Sequence, residues 1–140
     1  MDDTSMPRRQ AIGTMALGAV GSAAVAMVPG QAAAAPVAGG LVHHVVFFLK
    51  RPSNAADRAD LIAGLRTLAA GARDIQYAHI GVPAPSERSV VDGSYDVAWT
   101  LHFADTAAQD RYQVDPVHLR FVDTCQHLWD RVVVHDSLAV

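Results

Sequence analysis

The chain has 140 residues, a formal charge of −3, seven histidines and a single cysteine. That length suits one domain, and one cysteine excludes an intrachain disulfide. Acidic and basic residues are interspersed without a basic stripe, which argues against a nucleic-acid partner. Composition changes near residue 40: before it Ala, Gly, Val and Met dominate with no charged side chain after Arg9, and beyond it charged, aromatic and β-branched residues mix as in a globular domain.

The chain opens on an export pattern. Arg8 and Arg9 precede an apolar run from Ala11 to Val28, and Pro29-Gly30-Gln31 leads into Ala32-Ala33-Ala34. Charged, apolar and small-residue regions in that order make a secretory signal, and the arginine pair points to the twin-arginine route. Cleavage after Ala34 satisfies the Ala-x-Ala rule. Residues 1–34 are therefore expected to be a signal peptide and 35–40 a short linker, followed by one domain over 41–138. The protein is expected to leave the cytoplasm and meet the membrane only in transit. The alternative is a retained anchor: a run of about 18 residues just spans a bilayer, although Gly13, Thr14, Gly18, Gly21 and Ser22 weaken it.

Leu41 to Leu49 is a short apolar, β-rich run and reads as a strand buried on both faces. Ser53 or Asn54 can cap a helix in which Leu61, Ile62, Leu65, Leu68 and Ala69 recur at helical spacing and which Gly71 closes. Asp74 to Val82 alternates as a second strand, ended by Pro83-Ala84-Pro85. A polar loop follows, and Ser94 to Phe103 reads as a third strand with Tyr95, Val97, Trp99, Leu101 and Phe103 on one face. Asp105 or Thr106 can start the next helix, which must stop before Pro116, because proline lacks an N–H and its ring clashes with the preceding turn. Asp115 then serves as N-cap and Pro116 as the first residue of a new helix. Its expected apolar positions are Leu119, Val122 and Leu128. Asp130 to His135 closes the chain as a fourth strand.

The order β-α-β-β-α-β, with its last helical segment broken in two, predicts a ferredoxin-like α+β fold: a four-stranded antiparallel sheet with helices on one face. The other sheet face needs a cover, because Val45, Phe47 and Leu49 are expected there and are too apolar for water. A second copy is the simplest cover, giving a homodimer.

Several residues in order now resemble the stress-responsive A/B barrel (Dabb) family of dimeric α+β barrels. They are the opening strand with His44, Tyr95 before the third strand, Tyr112…Asp115-Pro116-Val117-His118…Phe121, and Trp129 followed by Arg131-Val132-Val133-Val134. Asp115 replaces the first histidine of the family's usual His-Pro-x-His bend. The resemblance implies a small-molecule pocket between helices and sheet. A plant polyketide cyclase with this fold performs an intramolecular aldol condensation with a Tyr and a His as acid and base, and these correspond to Tyr112 and His118. The implied pocket comprises His44, with Val46 and Phe48 on the same strand face, and Phe121 and Trp129. Val97 stands where that cyclase has a further histidine.

The chemistry fits a cofactor-free acid/base pair. Tyr112 lies in the last turn before the bend and His118 in the first turn after it. A neutral imidazole accepts a proton while a phenol, with an ordinary pKa near 10, donates to a developing enolate oxygen. The same residues could equally be core packing and a helix cap. His43 and His44 are adjacent on a strand and must face opposite ways, with His44 expected on the pocket side. No pair of histidines has ligand spacing, so no metal site is expected. Two readings stay open: cyclase- or lyase-like chemistry on a small carbonyl-rich or aromatic molecule, or a non-catalytic dimer that binds a small hydrophobic ligand or protects under stress.

Overall fold

A computed structural model describes residues 39–140. The expected signal peptide, residues 1–34, and nearly all of the expected linker lie outside the described residues. Among the described residues no helix is long and apolar enough to cross a membrane.

The elements are β1 (Leu41–Leu49), α1 (Ala55–Gly71), β2 (Tyr77–Gly81), β3 (Val97–Phe103), α2 (Thr106–Gln113), α3 (Pro116–Cys125), a 3-10 turn (Gln126–Leu128) and β4 (Trp129–Leu138). The sheet order is β2-β3-β1-β4, with every neighbouring pair antiparallel. This is the ferredoxin-like α+β architecture that the element order implied.

Local chemistry sets the boundaries. Asn54 caps α1, its side chain accepting from the Asp57 N–H at 3.0 Å. Asp105 caps α2 through the Ala108 N–H at 2.7 Å. Asp115 caps α3 through the Val117 N–H at 2.8 Å, with Pro116 at the first helical position as its missing donor allows. Asp96 ties the β1–α1 connection to the sheet: its buried carboxylate accepts from the Leu49 N–H at 2.9 Å and the Ser53 N–H at 2.7 Å. Two strands, β2 and β3, are shorter than their apolar patterns suggested, β3 beginning only at Val97. Asp74 has φ of +69°, a left-handed conformation that no strand contains, so β2 begins only at Tyr77. At the other end of the chain β4 runs on past His135 to Leu138, pairing along the whole of β1.

Register decides which side chains meet the helices. Val45 pairs with Trp99 and Val134, and Phe47 with Val97 and Val132. Burial alternates strictly along β1, with Leu41, His43, Val45, Phe47 and Leu49 buried. Of these, Leu41, Val45, Phe47 and Leu49 pack with Leu61, Leu65 and Leu68 of α1 and with Tyr112, Phe121 and Leu128 in one core. The expectation that Val45, Phe47 and Leu49 face away from the helices is therefore inverted. Val42, His44, Val46 and Phe48 form the open face and are half-buried. Leu119 is likewise not a core position: it is exposed, and α3 buries Phe121 and Cys125, four residues apart on one helical face.

Candidate active site

The bend at Asp115-Pro116 brings two helix ends over the β1–β4 half of the sheet. A cavity of about 240 Å³ opens there between helices and sheet. Its sheet wall is His43, Val45 and Phe47 of β1, Trp99 of β3, and Val132, Val134 and Asp136 of β4. Tyr112, Gln113, His118 and Phe121 form the helical wall, and Trp129 closes one end. That volume lies below the roughly 300–1,000 Å³ usual for drug-sized ligands, so the space suits a small molecule.

The cavity has two chemical ends. At one, Phe47, Phe121 and Trp129 form an aromatic wall, with Phe121 stacked on Trp129 at 5.8 Å and Phe47 tilted against Trp129 at 5.1 Å between ring centres. At the other stand Tyr112 and His118, 4.5 Å apart between ring centres, with His43 6.2 Å from Tyr112. His43 Nδ1 is 2.6 Å from Asp136 Oδ1. An ionised carboxylate only accepts, so Nδ1 carries the hydrogen between them. His118 likewise carries a hydrogen on Nδ1. Its Nδ1–H donates to the Gln113 carbonyl at 3.1 Å across the bend, leaving Nε2 as acceptor.

Burial sets the protonation states. The His118 pKa lies below its ordinary value, chiefly because burial disfavours imidazolium; the bond to Gln113 opposes this, His43 adds to it, and Asp115 opposes it. His118 is thus neutral near pH 7. Burial also pushes the Tyr112 phenol up to about 12, with Asp115 adding to the shift. The Trp99 indole N–H pulls the other way but lies outside hydrogen-bond geometry, so the buried Nε1 has no partner. Tyr112 is a protonated donor that is only 2% exposed. A neutral acceptor and a protonated donor therefore border one space, with a second carboxylate-held imidazole beside them.

The expected site residues divide by strand parity. Tyr112, His118, Phe121 and Trp129 line the cavity. Val97 is fully buried on the helix side, in the core beside it. His44, Val46 and Phe48 are on the opposite face of β1, so their placement in the pocket is corrected. His44 Nδ1 instead meets Thr100 Oγ1 at 2.8 Å, and Phe48 lies under the Arg131 guanidinium at 3.6 Å. Their counterparts on the pocket side are His43, Val45 and Phe47. Both sets are apolar and both begin with a histidine, so alternation alone does not distinguish them. Asp136 was missed for a related reason: its pairing with His43 joins residues 93 positions apart, and only the β1–β4 register reveals it. Among the described residues no group of three or more His, Cys, Asp or Glu side chains could hold a metal ion.

Solved proteins share the fold at low identity. A Dabb-family protein of Mesorhizobium loti with a ferredoxin-like fold superposes with a TM-score of 0.60 and 23% identity, over 73% of this chain and 98% of its own. A hydroxynitrile lyase from Passiflora edulis gives 0.63 and 18%, over 74% of this chain and 96% of the lyase. A dimeric ferredoxin-like protein from a Jannaschia species gives 0.55 and 25%, over 72% of this chain and 100% of that one. No curated protein matches the sequence. The profile of the Stress responsive A/B Barrel Domain matches residues 41–139, nearly the whole described region, and the chain belongs to that family.

Proposed function

We propose that this protein is an exported homodimer whose cavity binds a small carbonyl-rich or aromatic molecule and performs cyclase- or lyase-like acid/base chemistry on it. One observation carries the reading: a neutral imidazole, a protonated phenol and a carboxylate-held imidazole border a single small cavity that has an aromatic wall opposite them. His118 Nε2 takes a proton from carbon beside the ligand's carbonyl, and the Tyr112 hydroxyl hydrogen-bonds to the oxygen as it gains charge. His43, oriented by Asp136, stands at the same end of the cavity. The aromatic wall holds the planar remainder of the ligand. No step requires a cofactor. That a solved structure of this fold is a hydroxynitrile lyase supports the capacity of the scaffold for enzymatic chemistry.

The homodimer is supported by the open face of the sheet, where Val42, Val46, Phe48 and Val133 place apolar area towards solvent, and by solved proteins of this fold described as dimeric. Export is supported by Arg8-Arg9 and the apolar run behind it.

A second reading, a binding or stress-protective dimer without turnover, is favoured by two details. The His118 Nδ1 is committed to the backbone, and the Tyr112 ring is almost wholly enclosed. Native mass spectrometry of the purified chain separates the two. We expect a retained small molecule, and incubation with more of it to yield a product of changed mass or isomeric form. That conversion should be lost in Tyr112→Phe and in His118→Gln while both variants still bind. A molecule bound equally by all three proteins and never converted supports the second reading and overturns the first.

A further inference from the structure

Four of the seven histidines lie on the sheet face that carries no helix. Register places three in one row across the sheet: His79 of β2 pairs with Thr100 of β3, Thr100 with His44 of β1, and His44 with His135 of β4. His102 stands one row away, between Tyr77 and Val42. Directly paired side chains on one face of a sheet are about 5 Å apart, so His44 and His135 are immediate neighbours. No aspartate or glutamate occupies the open-face positions of the four strands, which hold Val42, His44, Val46 and Phe48 in β1, Tyr77, His79 and Gly81 in β2, Ala98, Thr100 and His102 in β3, and Arg131, Val133, His135 and Ser137 in β4. The one fixed charge, Arg131, lies over Phe48 at the edge, with Asp92 near it. Asp136 and His43 face the cavity on the other side.

We propose that this face is a protonation-controlled contact surface, on which a second copy of the chain seats while the histidines are neutral and from which it departs when they are charged. The inference rests on the homodimer proposed above and adds its control. A two-fold axis through the middle of this row sets the row of one copy over that of the other. With neutral imidazoles the contact is one of apolar and hydrogen-bonding groups around Val46, Phe48 and Val133. With imidazolium rows it sets cation against cation, with no carboxylate on either face to compensate, at a cost that burial magnifies.

The direction follows from what faces His44. Its pKa is already below the ordinary 6.5, first through partial burial and then through His135, His43 and His79. A covering copy adds burial and lowers it further. A histidine lowered on association is neutral in the dimer, so the contact has its full strength above the free-chain pKa and weakens as pH falls below it.

Sedimentation velocity of the full chain over a dilution series, at about pH 7.5 and about pH 5, tests this across the range in which histidine titrates. We expect a dimer at the higher pH, and a dissociation constant raised about tenfold or more at the lower one, with circular dichroism showing a folded chain at both. A variant carrying His44→Gln, His79→Gln and His135→Gln should stay dimeric at both. Exposed His135→Gln alone should remove part of the dependence, which keeps the test open if the triple variant does not fold. A wild-type dimer equally tight at both pH values, an undiminished pH dependence in the variants, or acid dissociation that coincides with unfolding overturns the protonation control and leaves the homodimer standing. A chain that is monomeric at micromolar concentration at the higher pH overturns the homodimer itself and this inference with it.

Discussion

His118 shows how one residue's surroundings prepare it for its proposed role. The sequence put it in the first turn of a helix, where the helix dipole and Asp115 push its pKa in opposite directions. The structure resolves the contest: burial dominates and the imidazole stays neutral. The pH dependence of the proposed turnover follows. The base works when unprotonated, so kcat/KM should be flat near neutrality and fall as pH drops through a value below the ordinary histidine 6.5. An acid limb above 6.5 would show that a different group is the base. No alkaline limb from Tyr112 should appear in the working range, since its phenol holds its proton up to about 12. Residue identities at the bend were legible because proline and aspartate act locally. Those of the facing strand were not, because His43 and His44 differ only in which way a pleat turns them.

Among the elements, the contact between α1 and α3 supports the helical wall of the cavity. Gly64 lets α3 approach closely. A Cβ there would lie 2.6 Å from Cys125 Sγ and 3.3 Å from the Phe121 ring. The buried thiol, its pKa raised mainly by burial, serves as a small apolar side chain at this crossing. Gly64→Ala should therefore destabilise by about 1–3 kcal/mol through overpacking, measured by urea denaturation, and should weaken ligand binding by shifting Phe121. In a Cys125→Ala background the same change should cost less, because the nearest obstacle is gone. Equal costs in the two backgrounds would mean that the helices do not meet as described. This crossing left no periodic signature beyond a glycine among apolar residues. The caps at Asn54, Asp105 and Asp115 did, because each is completed within three residues of itself.

For the whole molecule, the export reading makes its own prediction. Replacing Arg8 and Arg9 by lysine keeps the charge but removes the arginine pair on which the proposed route depends. The precursor should then accumulate in the cytoplasm, as fractionation with an antibody to the folded domain would show. Unchanged export of that variant would remove the twin-arginine reading while leaving the fold and cavity untouched. The proposed dimer also belongs to this scale, since a single sheet with one helix-free face has no internal means of covering Val46, Phe48 and Val133. Their half-buried state on the open face makes the assembly, rather than the chain alone, the unit in which the row of histidines acquires its meaning.

The sequence by itself determined the element order, the broken helix at Asp115-Pro116 and the family resemblance. Each of these depends on neighbours within a few residues or on the order of elements along the chain. Only the tertiary structure decided which face of β1 looks into the cavity, and with it that His43 and Asp136 belong to the site while His44 belongs to the open face. The physical reason lies in the strand itself. Both faces of β1 are apolar and both carry a histidine, and a pleat of period two has no preferred face until register against β3 and β4 selects one.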